Sequence, residues 1–193
     1  AYDPTNTLEG FDFSFNPKLN KAQLSDLATC AFIERHENVL IYGPTGVGKS
    51  HVSQALAHEA CRRGHEVLFI NTTKMLTHLA GGRADGTHEQ RLARYTRPAL
   101  LVLDDFGLKA LRAPGPEDLY DVINERYEKA SIVLTSNRDR SEWLEFFGEA
   151  LLASAALDRL THGAHFVEIT GPSFRAEHTK KQLTAQRRGK TGS

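Results

Sequence analysis

Short runs of consecutive apolar residues alternate along this chain with longer stretches in which apolar residues recur at helical spacing. Five apolar runs predict buried β-strands at residues 39–42, 67–70, 100–103, 132–135 and 166–169. Helical spacing predicts helices at residues 20–34, 49–63, 74–79, 87–95, 119–127, 141–147 and 149–160. Strands that are apolar throughout and alternate with helices are typical of an α/β fold, in which a parallel sheet is covered on both faces.

Local signals predict where two helices begin and end. Gly81-Gly82 follows the third helix and predicts its end. Thr87, with Gln90 three residues later, predicts a capping box for the fourth helix. We expect an extended N-terminal arm at residues 1–16, one domain at residues 17–175, and a basic, disordered tail at residues 176–193.

The composition is typical of a globular domain. Of the 193 residues, 40% are hydrophobic and 25% are charged, which suits one domain with a substantial core. Lys plus Arg and Asp plus Glu both total 24, so net charge indicates no partner and any electrostatic binding surface has to be local. No apolar run reaches the ~20 residues of a membrane span and no signal-peptide pattern is present, so we expect a cytoplasmic protein without a membrane partner.

The cysteines and histidines show no spacing typical of a disulfide framework or a metal site. We expect Cys30 and Cys61 to be reduced, buried small hydrophobes. His162 and His165 lie three residues apart but lack a third partner. We therefore interpret the nine histidines as structural or surface residues.

The segment between the first strand and the second helix matches the phosphate-binding pattern G-x-x-x-x-G-K-[ST]. Its glycines let successive N–H groups point at phosphates, and the helix that follows presents its positive end to them. A chance glycine-rich turn is the alternative, and the flanking strand and helix argue against it. Lys49 would neutralise the phosphates and Ser50 would bind Mg²⁺. We assign ATP binding to Gly43, Pro44, Thr45, Gly46, Val47, Gly48, Lys49, Ser50 and His51.

Two acidic residues follow the third predicted strand. Carboxyl ends of parallel strands are where such sheets bind ligands. We expect Asp104 to hold Mg²⁺ through water and Asp105 to polarise the attacking water. The alternative is a solvated Asp-Asp turn.

Asn137 and Arg159 are further candidates, each with a simpler interpretation. Asn137 ends the fourth strand, where its amide can orient a water beside the γ-phosphate, although asparagine after a strand is commonly a turn former. Arg159 stands near the end of a largely apolar helix. It either complements the helix dipole and pairs with Asp158, or acts as an arginine finger on the ATP of a neighbouring subunit.

Basic residues are concentrated in the region of the third and fourth helices. Arg91 and Arg94 lie three residues apart and so share a helix face. The group is either a solvated face or a surface that contacts nucleic-acid phosphates. Its members are Lys74, Arg83, Arg91, Arg94 and Arg97.

Taken together, these segments resemble the IstB-like ATP-binding proteins, which are transposition helpers of insertion sequences and relatives of the DnaC helicase loader among the AAA+ ATPases. The resemblance runs from about Leu8 to Arg175. It is carried by the segments G-P-T-G-V-G-K-S, L-L-V-L-D-D-F-G-L, L-T-S-N-R, L-D-R-L-T-H-G-A-H and G-P-S-F-R.

The resemblance implies a three-layer AAA+ core with strand order 5-1-4-3-2, Asn137 as a sensor residue and Arg159 as a finger acting on the next subunit. Asp105 stands where many AAA+ proteins have Glu, so we expect slow hydrolysis. No substantial helical lid follows the fifth strand, which makes Arg175 a weak second sensor. The chain begins without methionine, and we expect that the small N-terminal domain usual in the family is absent or truncated.

The resemblance also implies that ATP with Mg²⁺ drives assembly of a homo-oligomer on duplex DNA, and that this assembly stimulates a separate transposase. A helicase loader is the alternative, because the same core serves that role. A small-molecule kinase is a further alternative, although the Asp-Asp pair and the L-D-R-L segment argue against it.

Overall fold

All five predicted strands are present in one sheet. The structure is a computed structural model and describes residues 20–171 and residue 173. The strands are β1 Val39–Tyr42, β2 Val67–Asn71, β3 Leu100–Phe106, β4 Ser131–Ser136 and β5 His165–Glu168. Every pair is parallel and the order is β2-β3-β4-β1-β5, which confirms the predicted 5-1-4-3-2 order read from the other side.

The described part of the chain also contains eight α-helices and one short 3-10 helix, Arg140–Glu142. None of these helices combines the length and hydropathy that a membrane span requires. The α-helices are α1 Lys21–Leu27, α2 Ala31–Glu34, α3 Lys49–Arg62, α4 Thr72–Asp85, α5 His88–Thr96, α6 Gly115–Arg126, α7 Trp143–Phe147 and α8 Ala150–Thr161.

The core consists of one apolar layer on each face of the sheet. Alternate strand residues point to opposite faces, so neighbours such as Leu40 and Ile41 enter different layers. Side chains of α1, α2 and α3 cover one face, and those of α4 to α8 cover the other. This arrangement confirms the three-layer α/β fold.

Parallel pairing gives the sheet two distinct edges. The carboxyl edge, where the strands end, includes Tyr42, Asn71, Phe106, Ser136 and Glu168. The amino edge, where they begin, includes Val39, Val67, Leu100, Ser131 and His165. The segment of residues 43–50 follows β1 and therefore lies at the carboxyl edge.

The predicted first helix is wrong in its continuity, because α1 ends at Leu27 and α2 begins at Ala31. Thr29 Oγ1 donates to the carbonyl oxygen of Asp26 at 2.6 Å and accepts from the amide of Ala31 at 3.3 Å. These local bonds replace helical ones. Cys30 then takes a positive φ of 62°.

The predicted end at Gly81-Gly82 is also wrong, because α4 continues to Asp85. These glycines allow α5 to pack closely. A Cβ at Gly81 would lie 2.6 Å from Arg91 Nη1, and one at Gly82 would lie 2.8 Å from the Cα of His88. Sequence alone does not distinguish a glycine that ends a helix from one that admits a neighbouring helix.

Two smaller expectations are wrong for local reasons. Thr87 does precede α5, but its hydroxyl donates to Asp85 Oδ1 at 2.6 Å and forms no capping bond. Cys61 is exposed near the end of α3, whereas Cys30 is buried as expected, and both are free thiols. The arm at residues 1–16, the tail at residues 176–193 and Arg175 lie outside the described residues.

Candidate active site

The loop after β1 has the backbone conformation of an anion-binding cradle. Gly43, Gly46 and Gly48 have φ angles of 146°, 85° and 104°, a region that favours glycine. At Gly43 there is also no space for a side chain, because a Cβ would lie 2.0 Å from the carbonyl oxygen of Ile169. The amide of Gly43 donates to the carbonyl oxygen of Ser136 at 3.2 Å, which holds the start of the loop against the sheet.

Lys49 and the loop amides supply the positive charge of this cradle. Lys49 is 6% exposed, and its Nζ donates to the carbonyl oxygens of Gly43 at 2.8 Å and Pro44 at 2.6 Å. The amides of residues 45–48 donate to no carbonyl oxygen in the described part of the chain. They precede the first turn of α3, where His51 is half-buried and the helix dipole is positive. The geometry suits a phosphate chain.

Ser50 and Asp104 meet at the carboxyl edge. Ser50 Oγ donates to Asp104 Oδ1 at 3.1 Å, and Thr135 Oγ1 donates to the same oxygen at 2.5 Å. Thr72 Oγ1 donates to the backbone carbonyl oxygen of Asp104 at 3.0 Å. A hydroxyl beside a carboxylate is a set of oxygen ligands that Mg²⁺ prefers, so these residues fit the predicted ion.

Asp105 lies beside Asp104 in a strained backbone conformation. Its φ of 58° belongs to the left-handed region, and the register of β3 with β4 shifts between Leu103 and Phe106. The predicted apolar run covers residues 100–103, and β3 extends through both acids to Phe106. Strain of this kind persists only where the surroundings hold it, and it is frequent at active sites.

Two residues that hold Asp105 were missed by the sequence reasoning. Thr135 Oγ1 accepts from the Asp105 amide at 3.0 Å while donating to Asp104. Asn71 Nδ2 donates to Asp105 Oδ2 at 3.1 Å, and Asn71 Oδ1 caps α4 by accepting from the amide of Thr73 at 3.0 Å. The available signals were a polar residue inside an apolar strand and an asparagine between a strand and a helix.

Asn137 lies at the same edge, directly after β4. The preceding residue, Ser136, pairs with Tyr42 and accepts from the amide of Gly43. The fold therefore brings Asn137 next to the start of the phosphate loop. Asn137 is half-buried.

Arg159 lies at the opposite edge of the sheet. The carbonyl oxygen of its neighbour Leu160 accepts from Asn38 Nδ2 at 3.0 Å, and Asn38 directly precedes β1. The four residues of β1, about 13 Å long at ~3.3 Å per residue, separate Asn38 from the phosphate loop. Arg159 Nη1 donates to the carbonyl oxygen of Ala155 at 2.9 Å, and its guanidinium carbon is 5.5 Å from the ring centre of Tyr120. Arg159 is therefore not part of its own chain's phosphate site.

The five candidate DNA-binding cations fall into two groups. Two are engaged with carboxylates: Arg83 pairs with Asp118 at 2.7 Å, and Arg91 pairs with Asp85 at 2.5 Å. The other three are exposed and have no carboxylate partner among residues 20–171; they are Lys74, Arg94 and Arg97.

The model of the family described as IstB-like ATP binding protein matches residues 1–182 of the chain. This chain belongs to that family. A putative ATP-binding protein of an insertion sequence from Mycobacterium tuberculosis is 43% identical to this IstB-like protein over 185 residues, which are 95% of this chain and 74% of the relative. The putative ATP-binding protein of insertion sequence IS21 from Pseudomonas aeruginosa is 39% identical, with 91% of this chain and 66% of the relative aligned.

The fold of this IstB-like protein also occurs in solved structures of low sequence identity. The crystal structure of DnaI aligns with a TM-score of 0.71 at 22% identity, covering 86% of this chain and 92% of DnaI. The likeness to DnaI concerns the fold alone. Family and fold together establish an ATP-binding protein with an AAA+ core.

Proposed function

We propose that this chain hydrolyses ATP with Mg²⁺, assembles with ATP on duplex DNA, and in that assembly stimulates the transposase of its insertion sequence. The observation that carries the proposal is the 3.1 Å contact between Ser50 and Asp104 beside the loop of residues 43–50. This contact supports a nucleotide site in which one chain supplies both the phosphate loop and the residues that would hold Mg²⁺. The relatives, which are ATP-binding proteins of insertion sequences, support the transposition context.

Each residue of the proposed site has a chemical task. Lys49 would exchange its two carbonyl contacts for the β- and γ-phosphate oxygens of ATP. Asp105 would accept a hydrogen bond from the attacking water, and Asn137 would orient that water through its amide. Ser50 and Asp104 would hold Mg²⁺, which when bound supplies positive charge to the phosphate oxygens.

The position of Arg159 supports an active site shared between two copies of the chain. Because Arg159 lies at the amino edge, its guanidinium is available to the phosphate loop of a neighbour rather than to its own. In that position it would stabilise the negative charge that develops on the transferred phosphoryl group. Hydrolysis would then require assembly.

The exposed cations Lys74, Arg94 and Arg97 are the proposed contacts to duplex DNA. They are the members of the basic group that are not paired with a carboxylate in the described structure. We propose that Arg83 and Arg91 act mainly by holding α4, α5 and α6 together. The exposed cations would contact DNA phosphates, and phosphate contacts carry no base specificity.

A helicase loader remains the second candidate, because the same core serves that role in the DnaC helicase loader, whose crystal structure has this fold. The 43% identity to an insertion-sequence protein favours transposition. The two roles differ in the partner protein, so binding to the transposase or to the replicative helicase distinguishes them. Membership of an ATP-binding family adds no support to the kinase alternative.

Nucleotide binding is tested first. Lys49→Ala should abolish binding of a fluorescent ATP analogue, because it removes the cation of the cradle. Lys129→Ala is the matched control, because it removes an exposed lysine just after α6, outside the loop of residues 43–50. Unchanged affinity in Lys49→Ala would contradict the phosphate-loop assignment.

Sharing of the active site is tested by mixing two inactive variants. Arg159→Ala should bind ATP but hydrolyse it about a thousandfold more slowly, because an arginine finger contributes about that much. Asp105→Asn should also bind ATP without hydrolysing it. In a mixture, the site of one variant meets the intact Arg159 of the other, so phosphate release should recover. If mixing restores nothing while both variants still assemble, the shared site is wrong.

DNA binding is tested by salt dependence. Arg94→Gln with Arg97→Gln should weaken binding to duplex DNA of any sequence and reduce the slope of log K against log salt by about 2. Arg62→Gln with Arg63→Gln is the control, because these arginines are exposed at the end of α3, away from the patch. Sedimentation with and without ATP and DNA then shows whether assembly requires both. Equal slopes of log K against log salt for the two double variants would refute the assignment of Arg94 and Arg97 as DNA contacts.

A further inference from the structure

A cluster of metal-ligating side chains lies between α5 and α6, away from the phosphate loop. His88 begins α5, while Asp118 and Asp121 lie one turn apart on α6. One ligand atom from each of these three residues lies within 4.8 Å of the other two. His88 lies 30 positions before Asp118 in the sequence, so motif spacing did not reveal the cluster.

Two polar atoms in this cluster are buried without a hydrogen-bond partner in the described part of the chain. They are Asp118 Oδ2 and His88 Nε2. The Asp118 side chain is 0% exposed, and His88 Nε2 lies 3.7 Å from Asp118 Oδ1. Buried polar atoms without partners are uncommon in folded proteins, because each one costs free energy relative to water.

The contacts of His88 indicate which of its two ring nitrogens carries the proton. His88 Nδ1 lies 3.3 Å from the carbonyl oxygen of Leu79, and a contact with a carbonyl requires Nδ1 to carry the proton. In the neutral ring, Nε2 then has a lone pair and lies 3.7 Å from Asp118 Oδ1. His88 Nε2 and Asp118 Oδ2 are thus two buried acceptors without a donor in the described part of the chain, and a cation bound beside Asp118 would serve both.

We propose that His88 Nε2, Asp118 and Asp121 form a binding site for a divalent transition-metal ion of the Zn²⁺ class, with water completing the coordination. One imidazole nitrogen and two carboxylates suit such an ion. Ligands about 2.1 Å from a tetrahedral ion lie about 3.4 Å apart, close to the 3.7 Å between His88 Nε2 and Asp118 Oδ1. The contact of His88 Nδ1 with Leu79 is the outer bond that orients metal-bound histidines.

Arg83 of α4 is the competitor of the ion. Its Nη2 lies 2.7 Å from Asp118 Oδ1 and 3.7 Å from Asp121 Oδ2, so the guanidinium neutralises the same carboxylates. The Arg83 side chain is 40% exposed and can move to solvent when the ion binds. It follows that removing the Arg83 charge should tighten metal binding, whereas a purely structural ion pair would show no such gain.

The experiment uses a tag-free chain treated with chelator, without nucleotide, and in an Asp104→Asn background that weakens the phosphate-loop site. Zn²⁺ binding is measured by calorimetry, and Co²⁺ binding by its visible absorption. We expect micromolar affinity, at least tenfold tighter binding in Arg83→Gln, and at least tenfold weaker binding in His88→Gln and Asp121→Asn. His36→Gln is the control, because His36 is exposed and outside the cluster.

Three outcomes would overturn the proposal. They are no Zn²⁺ or Co²⁺ binding in Arg83→Gln, equal affinity in His88→Gln and His36→Gln, or Co²⁺ absorption without the features of a nitrogen ligand. Circular dichroism of every variant shows whether it is folded. If Arg83→Gln does not fold, the affinity of Asp121→Asn for Zn²⁺ decides the question, and an unchanged affinity overturns the proposal. Asp121 is partly exposed and its replacement leaves Arg83 paired with Asp118, so this variant should fold.

Discussion

Replacing Arg126 by methionine removes a buried guanidinium group that ties the end of α5 to the starts of β3 and β4. Arg126 is 1% exposed and lies at the end of α6. Its Nη1 donates to the carbonyl oxygens of Tyr95 at 2.9 Å and Pro98 at 2.8 Å, and its Nη2 donates to that of Ser131 at 2.6 Å. Burial lowers the pKa of Arg126 to about 10, so the group remains protonated at neutral pH.

The expected loss follows from these three short hydrogen bonds. A buried carbonyl oxygen left without its donor costs about 1–3 kcal/mol. Methionine fills a similar volume and recovers part of that cost through apolar contacts. Three such oxygens together cost about 3–9 kcal/mol, and because methionine recovers part of this we expect the free energy of unfolding to fall by about 3–5 kcal/mol. A domain of this size has about 5–15 kcal/mol in total, so the loss is a large share.

The measurement is urea unfolding at neutral pH, followed by far-UV circular dichroism. The midpoint should fall without a change in slope, since the surface exposed on unfolding is the same. Arg62→Met is the matched control: Arg62 is exposed and, within residues 20–171, its one ion pair is with Glu59 at 3.0 Å, so its loss should cost less than about 1 kcal/mol. Equal losses in the two variants would refute the reasoning, because the carbonyl contacts of Arg126 would then contribute nothing.

Three further predictions concern the phosphate loop, the paired acids and the dependence on pH. Gly43→Ala should lose ATP binding and more stability than Gly64→Ala, because only a Cβ at Gly43 lies against the Ile169 carbonyl oxygen. The left-handed conformation alone costs an alanine about 1–2 kcal/mol, which is the loss expected for Gly64→Ala. Similar unfolding midpoints of the two variants would contradict this. Thr135→Val should lower the hydrolysis rate at least tenfold with little change in ATP affinity, because it removes the hydroxyl that bonds to both Asp104 and Asp105. Thr135→Ser keeps this hydroxyl and should keep most of the rate. Steady-state phosphate release measures both variants. Burial alone would raise the pKa of Glu37, but hydrogen bonds from His165 and Arg35 outweigh it and lower that pKa. Its stabilisation is therefore complete above about pH 4.5 and is lost as pH falls through the lower folded value, so Glu37→Gln should flatten the acid side of the stability curve.

The sheet and the phosphate loop could be predicted because their signals are local. Each strand contains a short run of consecutive apolar residues, and the glycines, Lys49 and Ser50 of the loop lie within eight residues. Family resemblance supplied the strand order, which periodicity does not determine. The helix boundaries were less predictable, since Gly81 and Gly82 look like a stop signal unless the approach of α5 is known.

The pairing of distant side chains depended on the tertiary structure. Thr135 joins the two acids of β3 because β3 and β4 are neighbours, and Asn71 reaches Asp105 because β2 lies on the other side. Arg91, which we first grouped with the DNA contacts, instead bonds to Asp85 and to the carbonyl oxygen of His78. Whether a cation is paired or exposed is a property of packing between helices and has no local signature.

The chain of residues therefore specified an ATP-binding loop and the elements around it, since backbone conformation and apolar burial are encoded within short windows. Only the folded chain revealed that Arg159 lies across the sheet from its own phosphate site, and that His88 meets Asp118 and Asp121. Both facts depend on which parallel strands and which helices are neighbours. That choice is made by long-range packing of the whole core, where residues far apart in sequence come within a few ångströms.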